Sequence, residues 1–156
     1  MIFGQINTFS FEQKLPISQT EAWSFFSDPK NLAKITPENL AFQLVSSPPA
    51  KIYQGLLIRY SLTPFMGVPI NWLSEISQIE EGRYFVDKQL IGPYKLWYHQ
   101  HFFEEIEGGT LVRDVVDYKV GCGIFGDLID NLFVGRQVRE IFAFRSKKLV
   151  EIFGAL

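Results

Sequence analysis

The feature that most constrains the fold is a change of hydrophobic period. From Phe42 to Val120 apolar and polar residues alternate, the period-two pattern of strands with one buried face. Beyond "VGCGIFGD" the spacing lengthens. Phe125, Leu128, Leu132, Phe142, Leu149 and Phe153 fall near one side of a helix running from about Ile124 to Phe153. At 1.5 Å per residue such a helix is roughly 45 Å long. Turn signals at Pro48-Pro49, Gln54-Gly55, Pro64 to Pro69, Glu81-Gly82, Gly92-Pro93 and Gly108-Gly109 cut the alternating region into about six strands, joined mostly as hairpins.

Residues 5 to 16 read as a further strand that ends at Pro16, which has no N–H to give a ladder. Ser18 and Glu21 then have the spacing of a capping box. Ala22, Trp23, Phe25 and Phe26 give this short helix an apolar face, expected to pack as core against the sheet rather than to gate a ligand. A second short helix, from Pro29 to about Ile35, stops before Pro37. The predicted fold is α+β: a seven-stranded antiparallel sheet wrapped around a long C-terminal helix, with two short helices after the first strand. The chain has no internal repeat, low-complexity segment or linker, so one domain over residues 1–156 is expected.

A sheet that curves around a single helix traps space, and composition bears on what fills it. Hydrophobic residues make up 47% of the chain and aromatics 15%, with 15 Phe, so an internal cavity would favour apolar or ring-bearing molecules. The net charge of −2 and the lack of a basic run remove the electrostatic footprint that nucleic acid binding requires. Cys122 is the only cysteine, which excludes an intrachain disulfide and fits a reducing compartment. The N-terminal residues lack the basic and apolar blocks of a signal peptide, and no apolar run approaches about 18 residues. A cytoplasmic protein without stable membrane insertion is expected.

Several separated stretches resemble a known family. "WSFFSDPKNLAKITP" (Trp23 to Pro37), "FVDKQLIGPYKLWYHQHFFEE" (Phe85 to Glu105), "GGTLVRDVVDY" (Gly108 to Tyr118) and "IFAFRSKKL" (Ile141 to Leu149) are similar to a bacterial subgroup of the START-like, or SRPBCC, superfamily. Members of that subgroup also occur fused to epimerase-like domains labelled as cell-division-inhibitor related. The resemblance implies the helix-grip fold shared by lipid-transfer domains, the birch pollen allergen family and polyketide cyclases. Because the superfamily includes carriers, sensors and enzymes, it implies an architecture and not a reaction.

Strand parity proposes which side chains face the interior. In "WYHQHF" the residues Trp97, His99, His101 and Phe103 share one face. In "TLVRDVVDYKV" the set Thr110, Val112, Asp114, Val116, Tyr118 and Val120 is the less charged one and is expected inside. A buried Asp114 needs a partner, and the two histidines on the neighbouring strand supply one. Asp87 and Gln89 share a face, as do Trp72, Ser74 and Ile76, and Ile58, Tyr60 and Leu62. The candidate ligand site is therefore a polar cluster of Asp87, Gln89, His99, His101 and Asp114. Tyr60, Trp72, Trp97 and Tyr118 surround it, and Phe142 and Arg145 are contributed by the helix.

Three chemistries are open to such a cluster. His99 and His101, at i and i+2, point the same way and could converge on zinc with Asp114 or Asp87 completing the set, but a H-x-H pair with no third ligand at recognisable spacing is a weak signal, so no metal and no cofactor are expected. A carboxylate-held histidine is suited to acid/base work of the cyclase or dehydratase type, with His99, His101 and Asp114 as candidate catalytic residues. The reading preferred from the sequence is binding of a small hydrophobic or aromatic, lipid- or polyketide-like molecule, oriented by the cluster. A ligand-free interaction module with a filled core is the third reading. Cys122 reads as a small turn residue rather than a nucleophile, and the Pro64–Pro69 loop as a lid over the cavity.

Overall fold

A computed structural model of the chain describes residues 5–65, 67–121 and 133–156, with Phe65 described by its backbone. Strand β1 (Asn7–Leu15) leads into helix α1 (Gln19–Phe26) and two short 3-10 segments, Pro29–Ile35 and Glu38–Leu40. Six strands follow, β2 (Gln43–Leu44), β3 (Leu57–Phe65), β4 (Val68–Glu80), β5 (Tyr84–Ile91), β6 (Tyr94–Ile106) and β7 (Gly109–Val120), and the chain closes with helix α2 (Gly135–Phe153). All seven strands form one antiparallel sheet in the order β1-β7-β6-β5-β4-β3-β2, a meander with β1 folded back beside β7. This is the predicted α+β architecture.

Local chemistry sets the boundaries. Leu15 is the last paired residue of β1 because Pro16 follows it. Ser18 caps α1, its hydroxyl accepting from the Glu21 N–H at 3.2 Å. Asp28 caps the next segment in the same way through Lys30 N–H. Gly82 and Gly108 take positive φ (80° and 82°) in the β4–β5 and β6–β7 turns. The expected loop from Pro64 to Pro69 is instead mostly strand, since β3 and β4 pair as far as Phe65 and Val68. The register shifts between Leu62 and Phe65, a bulge that accommodates a proline unable to donate to the ladder.

The described part of the C-terminal helix is α2. Val134 has helical torsion angles and α2 runs from Gly135, while the expected helical stretch from Ile124 to Leu132, with Phe125, Leu128 and Leu132, lies outside the described residues, as does Cys122. The buried stripe of α2, Gly135, Val138, Phe142, Arg145 and Leu149, repeats at three and four residues. Phe142 stacks on Phe11 of β1 at 4.1 Å between ring centroids. Trp23 of α1 meets Phe85 and Phe103 edge-on, so it packs as core, as its position on a short amphipathic helix predicts.

The parity assignment of β6 and β7 agrees with the burial. His99, His101 and Phe103 are buried, as are Thr110, Val112, Asp114, Val116 and Tyr118, whereas Val120 and Trp97 are half-buried. The opposite face carries surface pairs such as Arg113–Glu12. Leu149, enclosed by the sheet-side core, should lower the unfolding free energy by about 2–5 kcal/mol when changed to Ala. Urea unfolding of Leu149→Ala beside Val150→Ala, exposed on the other side of α2, checks this; the second change should cost under about 0.5 kcal/mol.

Candidate functional site

The ladder places four titratable side chains on the concave face. Asp87 of β5 pairs across from His99 of β6, and His101 of β6 pairs across from Asp114 of β7. The alternation that brings both histidines inside therefore also brings both carboxylates to them.

Each imidazole spans both acids. His99 Nε2 lies 2.9 Å from Asp114 Oδ1, and its Nδ1 lies 3.4 Å from Asp87 Oδ2. His101 Nε2 hydrogen-bonds Asp87 Oδ2 at 2.8 Å. Its Nδ1 is 2.9 Å from Asp114 Oδ1, but that oxygen lies off the ring N–H direction, so the atom has no hydrogen-bond partner. The two rings sit 3.8 Å apart, with Phe85 stacked on His101 at 4.2 Å. His99, His101 and Asp114 expose 5%, 7% and 6% of their surface, so none is well hydrated.

Burial and partners act against each other on every member. Burial alone would raise the Asp114 pKa, yet hydrogen bonding from His101 and His99 takes it far below the carboxylate range. Asp87 follows the same pattern, with burial outweighed by the His101 hydrogen bond and by the charges of His99, His101 and Arg145. Burial would lower His101, but contacts with Asp114 and Asp87 raise it. For His99 burial prevails, reinforced by the His101 charge, and its pKa falls. Once His101 holds its proton, two carboxylates, one imidazolium and the Arg145 guanidinium cancel in charge.

Arg145 reaches the site from α2, 8% exposed, with its guanidinium 4.7 Å above the Phe142 ring. Its Nε has no hydrogen-bond partner, and burial lowers its pKa against the pull of Asp114 and Asp87. Tyr60 is kept protonated by burial and then by the Asp87 charge, both of which raise its pKa.

Between sheet and helix lies a cavity of about 180 Å³. Asp87, His99 and His101 face it, with Tyr60, Trp72, Trp97, Phe142 and Arg145 among its walls. Asp114 stands behind the histidines and does not line it. Two expected site residues are elsewhere. Gln89 folds over the β5–β6 turn, donating to Tyr94 O at 2.7 Å and accepting from Tyr94 N–H at 3.2 Å, which occupies its amide. Tyr118, 1% exposed, belongs to a core cluster with Val116 and Val138.

The sequence reading missed Val138 and Ile141, which line the cavity beside Phe142 and Arg145. Their i, i+3, i+4, i+7 spacing carries that signal. Phe42 and Ile52 also line it from irregular segments, where no periodicity points to a face. Pro64, from the expected lid, lines the cavity from within β3, and its carbonyl accepts from Gln137 of α2 at 2.9 Å.

No family model and no curated protein matches the sequence. Solved structures do match over nearly the full chain. Protein CV1439 from Chromobacterium violaceum is 13% identical with a TM-score of 0.72, covering 96% of this chain and 99% of that one. A START superfamily protein from Mycobacterium smegmatis is 12% identical with a TM-score of 0.69, covering 96% and 99%. Ara h 8.0201 is 14% identical with a TM-score of 0.61, covering 94% and 99%. The architecture is thus a helix grip, and it is the fold of the START-like superfamily. Among the described residues no helix is long and apolar enough to cross a membrane.

With only two histidines in the chain, their ring proton signals can be followed individually by NMR. As pH rises, His99 should lose its proton below the ordinary imidazole value of about 6.5, and His101 should keep its own past that value. Asp114→Asn should bring His101 back down. Two superposed titrations in the unaltered protein would contradict the coupled arrangement.

Proposed function

We propose that the protein binds a small apolar or single-ring molecule in the cavity between sheet and α2, with the His/Asp cluster and Arg145 orienting its polar end. The observation that carries this reading is a largely apolar, aromatic-walled cavity on which Asp87, His99, His101 and Arg145 converge, with Asp28 the one further charged residue among its described lining residues. Apolar surface supplies affinity at roughly 25 cal/mol per Å² buried, less the costs of association, and a few convergent polar groups supply orientation.

The size of the cavity narrows the ligand class. An apolar cavity of roughly 150 Å³ accommodates benzene, whereas sites for drug-sized molecules begin near 300 Å³. At about 180 Å³ the space suits one ring or a short chain, and a long-chain lipid or multi-ring polyketide would need it to enlarge. Open space of this kind also counts against a module with a filled core. The small ligand, the cytoplasmic setting and a single domain over residues 1–156 belong to this proposal together.

A second reading is favoured by the 2.9 Å contact between His99 Nε2 and Asp114 Oδ1. In an acid/base enzyme of the cyclase or dehydratase type, Asp114 would hold His99 while the ring exchanges a proton with the ligand.

Trp72 and Trp97 line the cavity and report its occupancy through fluorescence. Titration with indole or phenol should give a saturable change that Leu62→Trp, which fills the cavity, abolishes in a protein with unaltered circular dichroism. His99→Gln should weaken binding severalfold if the ring orients the ligand, whereas in the enzymatic reading it leaves binding and removes turnover. A response that Leu62→Trp leaves unchanged would place binding elsewhere.

A further inference from the structure

We infer that Asp87, His99 and His101 form a site for one divalent transition-metal ion, with Asp114 as the carboxylate that orients both imidazoles. This goes beyond the binding of an apolar molecule and does not depend on it. Asp87 Oδ2 lies 3.4 Å from His99 Nδ1 and 2.8 Å from His101 Nε2, and the three residues each offer a ligand atom within 4.8 Å of the others. Two nitrogens and one carboxylate oxygen in that space form a donor set of the kind that holds zinc or its first-row neighbours at a site with open positions.

The remaining ring nitrogens supply the second part of the case. His99 Nε2 and His101 Nδ1 both lie 2.9 Å from one atom, Asp114 Oδ1. Metal-bound imidazoles use one nitrogen for the ion and give the other N–H to a carboxylate, which fixes the tautomer and the ring plane. Here both rings present one nitrogen to Asp87 and the other to Asp114.

Proton inventory supports the same assignment. Two neutral imidazoles carry two N–H groups, yet four nitrogen–carboxylate contacts of 2.8–3.4 Å surround them. Making all four attractive with protons alone would require two imidazolium rings 3.8 Å apart. A dication at Asp87 would let both rings stay neutral, with His99 Nε2–H on Asp114 and the His101 Nδ1–H on the same side, 2.9 Å from Asp114 Oδ1. The ion's two charges match the two carboxylates, Asp114 buried and Asp87 partly so, and leave the Arg145 charge to meet an anionic group. His101 Nδ1, buried and without a hydrogen-bond partner, is one of the atoms whose direction the ion would set.

The placement of the cavity completes the picture. Asp87, His99 and His101 face it and Asp114 does not, so the would-be ligands have open space in front and their orienting carboxylate behind. Open coordination positions would point into the cavity, where water or a ligand oxygen completes the shell. Arg145 stands on the wall of the same cavity, and its charge favours an anionic group there.

The test uses tag-free protein, stripped with chelator and shown by circular dichroism to be folded. Titration with Co2+ should give a visible d–d spectrum saturating at one ion per chain, and Zn2+ should displace it. His99→Gln and His101→Gln should abolish the spectrum, while Asp114→Asn should weaken Co2+ binding by about 10- to 100-fold without removing it. A folded wild-type chain that gives no stoichiometric Co2+ spectrum and retains no Zn2+ on equilibrium dialysis overturns the proposal. So does a spectrum that survives both histidine changes, since it would come from other ligands such as Cys122.

Discussion

Two carboxylates held against two buried imidazoles, Asp114 buried with them and Asp87 partly so, are the constraint to which the rest of the structure is fitted. An ionised Asp114 could not remain inside a sheet–helix interface unless something met its charge, because the cost of stripping water from an unpaired carboxylate exceeds what local packing returns. The antiparallel ladder answers that need by bringing His101 opposite Asp114 and Asp87 opposite His99. A one-residue slip of β6 would turn both imidazoles to the outer face and leave two acids uncompensated, so electrostatics and hydrophobic patterning specify one register.

Around that cluster the fold separates two tasks. One end of the interior is filled by Val116, Tyr118, Val138 and Phe142, and the main cluster on the sheet, with Leu15, Ile58, Phe85 and Phe103, packs against Leu149 and α1. The cavity lies between, bounded by side chains of both, and its clustered charged residues Asp87, His99, His101 and Arg145 come from adjacent strands and one helix position. Strands and helices hold side chains more rigidly than loops do, which suits a site whose geometry depends on contacts near 2.9 Å.

The fold was legible because its signals are local and repeated. The change of period near Val120, the proline after Leu15 and the cap at Ser18 each specify a boundary that tertiary packing then respects. Much of the site was legible for the same reason, since parity on β6 and β7 put His99, His101 and Asp114 on one face. Gln89 shows where parity stops. It shares a face with Asp87, but the turn at Gly92-Pro93 offers its amide two backbone partners, and a side chain at Gly92 would occupy the space the amide uses. Phe42 and Ile52 had no periodic signal to read, and the lid expected at Pro64–Pro69 gave way to a hairpin extended by a bulge.

The central claim is that His99 and Asp114 act as one buried unit. A double-mutant cycle on unfolding free energy, with His99→Gln, Asp114→Asn and the pair, measures it directly by urea denaturation. The account predicts a coupling energy of about 1 kcal/mol or more between the two positions. Effects that add within about 0.3–0.5 kcal/mol would contradict it, because residues without a shared interaction behave that way.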